Sequence, residues 1–369
     1  MDIVHVIPNL GYGGAEKSLC KLVVNNDNIL IKHHLILLKE NNQLLPSIID
    51  KFENIVQFNI TSSNYILTSI NMRRKIIEIN PDLIHCWMHH ASLIVFFATL
   101  FSKYKIIWSL RDFIPFTLNF YSYLKNYKKI FFLSLVMSVF SNLKRISLCF
   151  VSKSSQISYS YIGLSSKRSY QIDNGIDCLV NQFSKTNKNL FINELNLPKN
   201  KTIVGIVTKD SEYKNNEFNY KLIKYTYDIS PNYYFIVIGA DMNIYKDSNN
   251  ALYLGNYDDM SKFYSTIDIL ISSSINEGFP NVILEAIAYG KYCISSDAGD
   301  SRRIINKYGV VIQDITEKNY YEEMENYRKM NHSQKKMMQL EAPEYIAKKF
   351  KTINFIYEHN QMYKNIVDG

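Results

Sequence analysis

Short apolar runs alternate with longer stretches of helical periodicity through the first half of the chain. Residues 15–24 and 66–79 repeat apolar side chains at the three- and four-residue spacing of an amphipathic helix. The apolar runs between such stretches have the length of strands. These predicted strands are 3–7, 34–38, 83–86, 105–109 and 148–151. The alternation predicts βαβ units around a parallel sheet.

The alternation stops near residues 174–177 and resumes after a polar stretch rich in Asn and Lys. Further strand-like runs follow at 202–207, 234–238, 267–271 and 292–294. This pattern predicts an α/β protein with two doubly wound, Rossmann-like parallel-sheet domains. We expect an N-terminal domain at 1–177, a linker at 178–200, a C-terminal domain at 201–345, and a helix at 346–369 that packs back on the N-terminal domain. Because ligands bind at the carboxyl ends of parallel strands, two such domains predict a central cleft and favour a group-transfer enzyme.

Composition narrows the class of protein. The chain has 369 residues, of which 47% are hydrophobic, enough for two cores and too apolar for a disordered protein. Its five cysteines include no C-x-x-C pair, so neither a disulfide framework nor a zinc site is indicated. The longest apolar run, 130–140, is too short to span a bilayer, and the N-terminus lacks the basic region of a secretory signal. We therefore expect a cytoplasmic protein.

The positive charge of the chain is concentrated in its first half. Residues 1–175 contain 19 Lys and Arg against 10 Asp and Glu, a net charge of +9, whereas the remainder carries −1. An excess of positive charge on one domain suits an anionic surface, which is either a nucleic acid or acidic lipid headgroups.

The segment from Ser274 to Ala286 carries the most chemical information. Pro280 is suited to the first position of a helix, whose free backbone amides would face an anion. Glu277 precedes this anion site, and Glu285 follows it on the helix. The two carboxylates are spaced to contact the groups on either side of a bound diphosphate, with contacts also from Gly278, Phe279, Asn281 and Val282. On spacing alone, a loop carboxylate at Glu277 and a solvated helix residue at Glu285 are the favoured interpretation, because charged helix residues are usually exposed.

The string E-G-F-P-N-V-I-L-E-A resembles the retaining glycosyltransferases of family four, which have the GT-B fold. The resemblance covers nearly the whole chain, because further motifs follow in the family's order. They are G-G-A-E at 13–16, P-D-L-I-H-C-W at 81–87, I-W-S-L-R at 107–111, V-S-K at 151–153, I-D-N-G-I-D at 172–177, residues 205–214, and S-D-A-G-D-S at 296–301.

The resemblance implies transfer of a sugar from a nucleotide diphosphate-sugar to a hydroxyl, with retention at the anomeric carbon. Glu277 would orient the donor sugar and Glu285 would bind the ribose. Lys209 and Lys214 match the family's Arg and Lys, which neutralise the diphosphate; a lysine at 209 keeps the charge but loses the bidentate fork. Thr208 departs from the family's Gly. Since two lysines replace a cation and no D-x-D motif occurs, neither a metal nor another cofactor is expected.

Other contacts are expected from both domains. Gly14, at a strand–helix turn, matches a donor or acceptor contact of the family, and Asp297 would face the donor sugar or serve only as a turn residue. The family commonly has a catalytic histidine in the N-terminal domain. Arg111 is the candidate for that place, and His85, His89 and His90 are candidates on the acceptor side.

Residues 113–148 interleave aromatic residues with basic ones, including Lys125, Lys128 and Lys129. This pattern suits a headgroup boundary or a nucleic-acid groove, and also a core helix with a solvated basic face. No nucleic-acid motif accompanies it, so an anionic membrane surface is favoured. The resemblance points to a lipid-linked or oligosaccharide acceptor in bacterial polysaccharide synthesis, such as capsule, O-antigen or exopolysaccharide.

Two other functions remain open at this point. One is another nucleotide-sugar enzyme on a similar scaffold, an epimerase or an inverting transferase. The other is a non-catalytic GT-B subunit that binds a partner transferase or a glycan, which the departures at Thr208, Lys209 and Arg111 would suit. The sequence does not identify the sugar, the base, the acceptor or the oligomeric state.

Overall fold

The structure is a computed structural model and describes residues 1–11, 13–40, 42–61, 65–114, 120–164, 167–177, 185–239 and 249–369. The side chains of 65–66, 120–127, 129–130, 185–187 and 190 lie outside that description. The chain divides into two compact units. Unit 1 comprises Met1–Gly175 and Thr352–Gly369, and unit 2 comprises Ile176–Lys351.

Unit 1 is built on a seven-stranded parallel sheet with the order β3-β2-β1-β4-β5-β6-β7. Its strands are β1 (Asp2–Ile7), β2 (Lys32–Leu37), β3 (Asn54–Gln57), β4 (Leu83–Trp87), β5 (Lys105–Leu110), β6 (Ile146–Phe150) and β7 (Ser169–Gln171). The helices that connect them are α1 (Gly14–Val24), α2 (Tyr65–Ile79), α3 (Met88–Ala98), α4 (Phe120–Phe140) and α5 (Lys153–Ser160).

Unit 2 has a six-stranded parallel sheet with the order β10-β9-β8-β11-β12-β13. Its strands are β8 (Thr202–Val207), β9 (Tyr233–Ile238), β10 (Ala251–Gly255), β11 (Ile269–Ser272), β12 (Tyr292–Ser296) and β13 (Gly309–Ile312). Its helices are α6 (Lys185–Glu194), α7 (Asn216–Ile229), α8 (Met260–Thr266), α9 (Asn281–Ala288), α10 (Ser301–Ile305), α11 (Glu317–Lys329) and α12 (His332–Lys349). The last helix of the chain, α13 (Thr352–Asp368), belongs to unit 1.

Alternate residues of each strand explain how the sheet of unit 1 is covered on both faces. In β1, Val4 and Val6 belong to a buried cluster with residues of α3, whereas Ile3 and Ile7 belong to another with residues of α1 and α13. Side chains alternate across a strand, so a strand that is apolar throughout needs a helical layer on either side. The prediction of two doubly wound parallel-sheet units is confirmed.

The boundaries differ from the predicted ones. Unit 2 begins at Ile176, and the part of the expected linker that the structure describes contains α6. Helix α6 packs against α8, with Phe191 and Ile192 buried. Because α6 is polar on average, its composition resembles that of a linker while its two apolar side chains make it part of a core. At the other end, 346–351 belong to unit 2 and the next helix starts at Thr352.

No helix in the described part of the chain combines the length and the hydrophobicity needed to cross a bilayer.

Candidate active site

The candidate site of unit 2 lies at the point where the strand order reverses. Strands β8 and β11 are neighbours in the sheet, although β9 and β10 separate them in the chain. Helical connections on opposite sides of this point leave room at the carboxyl ends of the two strands, which is where ligands bind in open α/β sheets. The loop at 208–215 follows β8, and the loop at 273–280 follows β11.

Hydrogen bonds tie these two loops together. The Ile275 amide donates to the Tyr213 carbonyl at 2.8 Å, and the Ser273 hydroxyl donates to Asn219 Oδ1 at 2.7 Å. Asn215, in the left-handed conformation with φ of 52°, turns the first loop into α7. Asparagine is one of the few residues that tolerate this conformation. Tyr213, which precedes Lys214, and Asn219 of α7, which follows it, are therefore both hydrogen-bonded to the loop after β11.

Lys214 and Glu277 form an ion pair across the two loops. The Lys214 ammonium donates a hydrogen bond to Glu277 Oε1, and their side chains are only 16% and 15% exposed. Desolvation of the two charges offsets much of the attraction in a pair so shielded from water, and removal of one partner leaves the other as a poorly solvated charge. The sequence placed these residues on different parts of a donor, and the structure brings them into direct contact.

A third loop, which follows β12, lies against the backbone of Glu277. Gly299 has a φ of +58°, and a Cβ at this position would lie 2.4 Å from the Glu277 carbonyl oxygen. Only glycine combines this backbone conformation with so close an approach. Asp297, predicted to face the donor sugar, is exposed and accepts a hydrogen bond from Arg302 at 2.9 Å. The D-A-G-D motif marked this loop, but contact with Glu277 could not be read from the sequence.

Glu285 is half-buried on α9 and accepts a hydrogen bond from the Tyr264 hydroxyl at 2.7 Å. It is therefore not the freely solvated helix residue that spacing alone allowed. Helix α9 begins at Asn281, so Pro280 precedes the first turn and does not occupy its first position as predicted. The ψ of 81° at Pro280 lies outside the helical range, which explains the difference of one residue. Tyr264 was missed because nothing in its local pattern marks a partner 21 residues away.

The remaining residues of the predicted donor contact lie around the start of α9. Phe279 and Pro280 are buried, whereas Gly278, Asn281 and Val282 are partly exposed. The two buried residues therefore secure the turn, and the other three are accessible to a ligand.

Lys209 lies in the loop after β8 with its side chain exposed and, within the residues that the structure describes, forms no ion pair. Its backbone is fixed: the Asn216 side-chain amide donates to the Lys209 carbonyl at 2.9 Å, and the Thr208 hydroxyl donates to Asn216 Oδ1 at 2.5 Å. The Thr208 carbonyl oxygen lies 2.0 Å from where a Cβ of Gly239 would be. Hydrogen bonds thus fix the backbone of Lys209, whereas its side chain extends into solvent.

Unit 1 presents a cation at the carboxyl end of its own sheet. Arg111 follows β5 and donates hydrogen bonds to Ser18 Oγ at 2.8 Å and to Asn174 Oδ1, and its guanidinium lies 5.4 Å from the Trp87 ring centroid. Burial lowers the pKa of Arg111 to about 10, well above neutral pH, so it stays charged. Gly14, the first residue of α1, is exposed at the same end of the sheet.

The three candidate histidines differ in position. His85 is fully buried within β4, where Nδ1 is 2.8 Å from the Tyr363 hydroxyl and the ring stacks on Trp87. It packs inside unit 1, which corrects its assignment to the acceptor side. His89 is also buried, with Nε2 2.8 Å from the Tyr159 hydroxyl, whereas His90 is exposed. Of the three, His90 is the one open to a ligand.

Among the described residues, no group of three or more His, Cys, Asp or Glu side chains is arranged to hold a metal ion.

A family model matches part of unit 2. Residues 187–341 match the family model described as glycosyl transferases group 1, a segment that contains Lys209, Lys214, Glu277 and Glu285. No curated protein matches the chain.

Solved structures match over both units. The Anabaena protein Alr3699/HepE, in complex with UDP and glucose, is 16% identical with a TM-score of 0.81 over 98% of this chain and 99% of its own. A glycosyltransferase from Rickettsia africae is 17% identical with a TM-score of 0.79 over 100% and 99%. WaaG, a glycosyltransferase involved in lipopolysaccharide biosynthesis, is 12% identical with a TM-score of 0.72 over 99% and 98%. The fold is GT-B, as predicted.

Proposed function

We propose that this protein is a retaining glycosyltransferase that moves a sugar from a nucleotide diphosphate-sugar to a hydroxyl of a glycan acceptor. The observation that carries the proposal is the shielded Lys214–Glu277 pair at the switch point of the unit 2 sheet. It lies within the segment that matches the group 1 glycosyl transferase model. Desolvation makes such a pair a poor source of folding stability. A site that binds both phosphate and sugar hydroxyls accounts for its presence.

Each charged residue has a distinct role in the proposed reaction. Lys214 and Lys209 neutralise the diphosphate as it departs, and they supply the positive charge for which other transferases use a metal. An ammonium has three donors, so Lys214 retains Glu277 with one and binds phosphate oxygens with the others. Glu277 accepts hydrogen bonds from the donor sugar, and Glu285 accepts them from the ribose.

The chemistry proceeds by attack of the acceptor hydroxyl on the same face of the sugar from which the diphosphate leaves. The departing diphosphate takes the proton of the acceptor hydroxyl, so no protein nucleophile is required. The contribution of the protein is orientation and electrostatic stabilisation of the separating charges. Arg111 is our candidate for the place of the family's catalytic histidine, and Gly14 would allow a close backbone approach to donor or acceptor.

The first test is nucleotide binding and turnover. UDP is the first nucleotide to try, because the similarly folded Anabaena protein was solved with UDP and glucose. Calorimetry with UDP, GDP and ADP would compare the wild type with Lys214→Ala, Glu277→Gln and Glu285→Gln. Lys262→Ala is the matched control, because Lys262 is an exposed lysine of unit 2 paired with Glu194. We expect one nucleotide to bind, Lys214→Ala and Glu285→Gln to weaken it by about tenfold or more, and the control to match the wild type.

Turnover separates the roles further. With the sugar conjugate of the bound nucleotide, Glu277→Gln is expected to lower kcat more than it weakens binding. NMR of the product reports retention, and activity that persists in EDTA supports a metal-independent reaction. Absence of both nucleotide binding and turnover would contradict the proposal and favour the non-catalytic subunit.

We further propose a lipid-linked acceptor and a position on the inner face of the cytoplasmic membrane, in bacterial polysaccharide synthesis. One neighbour of the same fold, WaaG, is named for lipopolysaccharide biosynthesis. Helix α4 adds a physical argument. Phe132, Leu135 and Val139 are 64%, 46% and 72% exposed, and with exposed Lys128 their spacing places them on one face of the helix. An apolar stripe with a basic end, on the positively charged half of the chain, matches an anionic headgroup region.

The membrane proposal is tested by flotation with phosphatidylglycerol vesicles. The triple variant Phe132→Gln, Leu135→Gln, Val139→Gln is expected to lose vesicle binding and to keep nucleotide binding. Leu340→Gln, an exposed apolar residue of unit 2, is the control. Of the predicted lysines 125–129, only Lys128 has a side chain within the described residues, so Lys128→Gln tests the electrostatic part. A triple variant that floats like the wild type would contradict the membrane surface.

A further inference from the structure

Tyr264 is a buried residue whose hydroxyl contacts the candidate site without being part of it. Its side chain on α8 is 1% exposed, and its hydroxyl donates a hydrogen bond to Glu285 Oε2 at 2.7 Å. The ring packs between Phe263 and Tyr289, at centroid distances of 5.1 and 5.5 Å. The ring is thus held by apolar packing, and the hydroxyl has a fixed direction.

This contact restrains Oε2 of the Glu285 carboxylate. A glutamate side chain loses considerable rotamer freedom when it is ordered, and a binding site pays that entropy at the moment the ligand arrives. When Tyr264 orders one oxygen of Glu285 beforehand, the carboxylate meets its ligand already oriented. A carboxylate has about four lone-pair sites, so one hydrogen bond from Tyr264 leaves it able to accept hydroxyl hydrogens as well.

The hydrogen bond persists across the working pH range. Burial, followed by the neighbouring Glu285 charge, raises the pKa of Tyr264 well above its usual value of 10. The phenol therefore remains protonated and remains a donor.

We propose that Tyr264 is a positioning residue that orients Glu285 toward the two hydroxyls of the donor ribose, and so sets donor affinity and the preference for ribose over deoxyribose. This inference rests on the proposed function, in which Glu285 binds the ribose. It assigns to Tyr264 an effect on recognition that is separate from its part in the packing of α8.

Unit 2 contains a matched control. Tyr233 is also fully buried, and its hydroxyl donates to Glu325 Oε1 at 2.6 Å. Tyr233 begins β9 and therefore lies at the amino edge of the sheet, opposite the edge that carries Lys214 and Glu277. Tyr233→Phe and Tyr264→Phe each remove one buried tyrosine–glutamate hydrogen bond and leave the ring in place.

The experiment measures calorimetric affinity for UDP, GDP and ADP and for their 2′-deoxy and 3′-deoxy forms, together with donor KM and kcat. We expect Tyr264→Phe to weaken the best-bound ribonucleotide by about fivefold, to raise donor KM by a similar factor and to leave kcat unchanged. The preference for the ribonucleotide over its deoxy forms should shrink. In a Glu285→Gln background, the same substitution should have little further effect. Tyr233→Phe should bind the nucleotide like the wild type, although its Tm should fall by about as much as that of Tyr264→Phe.

The outcomes distinguish this inference from the proposed function. If the wild type binds a ribonucleotide and Glu285→Gln weakens it, but Tyr264→Phe behaves like Tyr233→Phe, the role of Tyr264 is overturned and the proposed function stands. A fall in kcat at unchanged KM, or an effect that persists in the Glu285→Gln background, also overturns it. If the wild type binds none of the nucleotides, the proposed function fails and the inference fails with it.

Discussion

The stability of unit 1 should depend on pH through its buried histidines. His5, His33, His85 and His359 are all buried in this unit, and His5 Nε2 is 2.9 Å from His33 Nδ1. Burial, followed by the charge of neighbouring His34, lowers the pKa of His33 to about 4, and burial lowers that of His359 to about 3. The pKa values of His5 and His85 lie well below 6.5, chiefly because of burial.

The sign and size of the effect follow from these pKa values. The unfolded chain protonates its histidines near pH 6.5, whereas His33 and His359 in the folded unit remain neutral until about pH 4 and 3. Between those limits the unfolded state binds more protons, so the free energy of unfolding falls as the pH falls. From pH 7 to 5 each histidine contributes a loss of about 2 kcal/mol, or about 4 kcal/mol for the two.

Urea unfolding followed by tryptophan fluorescence measures this loss directly. The chain has two tryptophans, and both Trp87 and Trp108 are buried in unit 1, so the signal reports that unit. His359→Phe keeps an aromatic ring and removes one titrating group. We expect this variant to lose about 2 kcal/mol less than the wild type between pH 7 and 5. His332→Phe, at an exposed position of unit 2, should lose as much as the wild type. An equal loss in wild type and His359→Phe would refute the reasoning.

Two further predictions concern unit 2. Gly299→Ala should lower activity at least tenfold and cost about 2 kcal/mol or more of stability, because its Cβ would meet the Glu277 carbonyl. Gly255→Ala is the control, because Gly255 has a φ of +60° and a Cβ there would meet nothing within 4 Å; it should cost only about 1 kcal/mol of stability and retain activity. Equal effects of the two substitutions on melting temperature and on sugar transfer would contradict a role for the contact between Gly299 and Glu277. Burial lowers the pKa of Lys291 to about 7. Above pH 7 the Lys291 ammonium is therefore protonated in the unfolded chain and increasingly neutral in the folded one, so the free energy of unfolding should rise by about 2 kcal/mol from pH 7 to 9. Calorimetry should show this rise in the wild type but not in Lys291→Met. The same pH dependence in both proteins would contradict the prediction.

Much of the architecture could be predicted because it depends on local periodicity. Strand-length apolar runs and helical repeats are properties of neighbouring residues, so the residue pattern alone is sufficient to predict two parallel sheets. Dependence on local pattern also explains why the expected linker at 178–200 was wrong where it covers α6. A polar segment with two core side chains, Phe191 and Ile192, has no local signal that separates it from a linker.

The candidate site was predictable in part. Residues that follow strands gather at one edge of a parallel sheet, so Glu277 and Glu285 could be selected as candidates from their spacing, and Lys214 from the family resemblance. Which of them touch could not be known. His85 was selected as a ligand contact because it lies near a strand end. It is instead buried against Tyr363 of α13, which is 278 residues away in the chain, so the sequence near His85 could not show this.

The residue pattern was therefore sufficient for the class of fold, for the central strands of both sheets and for the residue types at each loop, because these follow from short-range periodicity and composition. It did not predict the edge strands β3, β7, β10 and β13. Three contacts depend instead on how the chain packs: the Lys214–Glu277 ion pair, the close approach of Gly299 to the Glu277 carbonyl, and the hydrogen bond from Tyr264 to Glu285. Such pairs form where sheet order brings loops distant in the chain to the same edge. Their contacts depend on packing and desolvation across that edge, which no single stretch of sequence encodes.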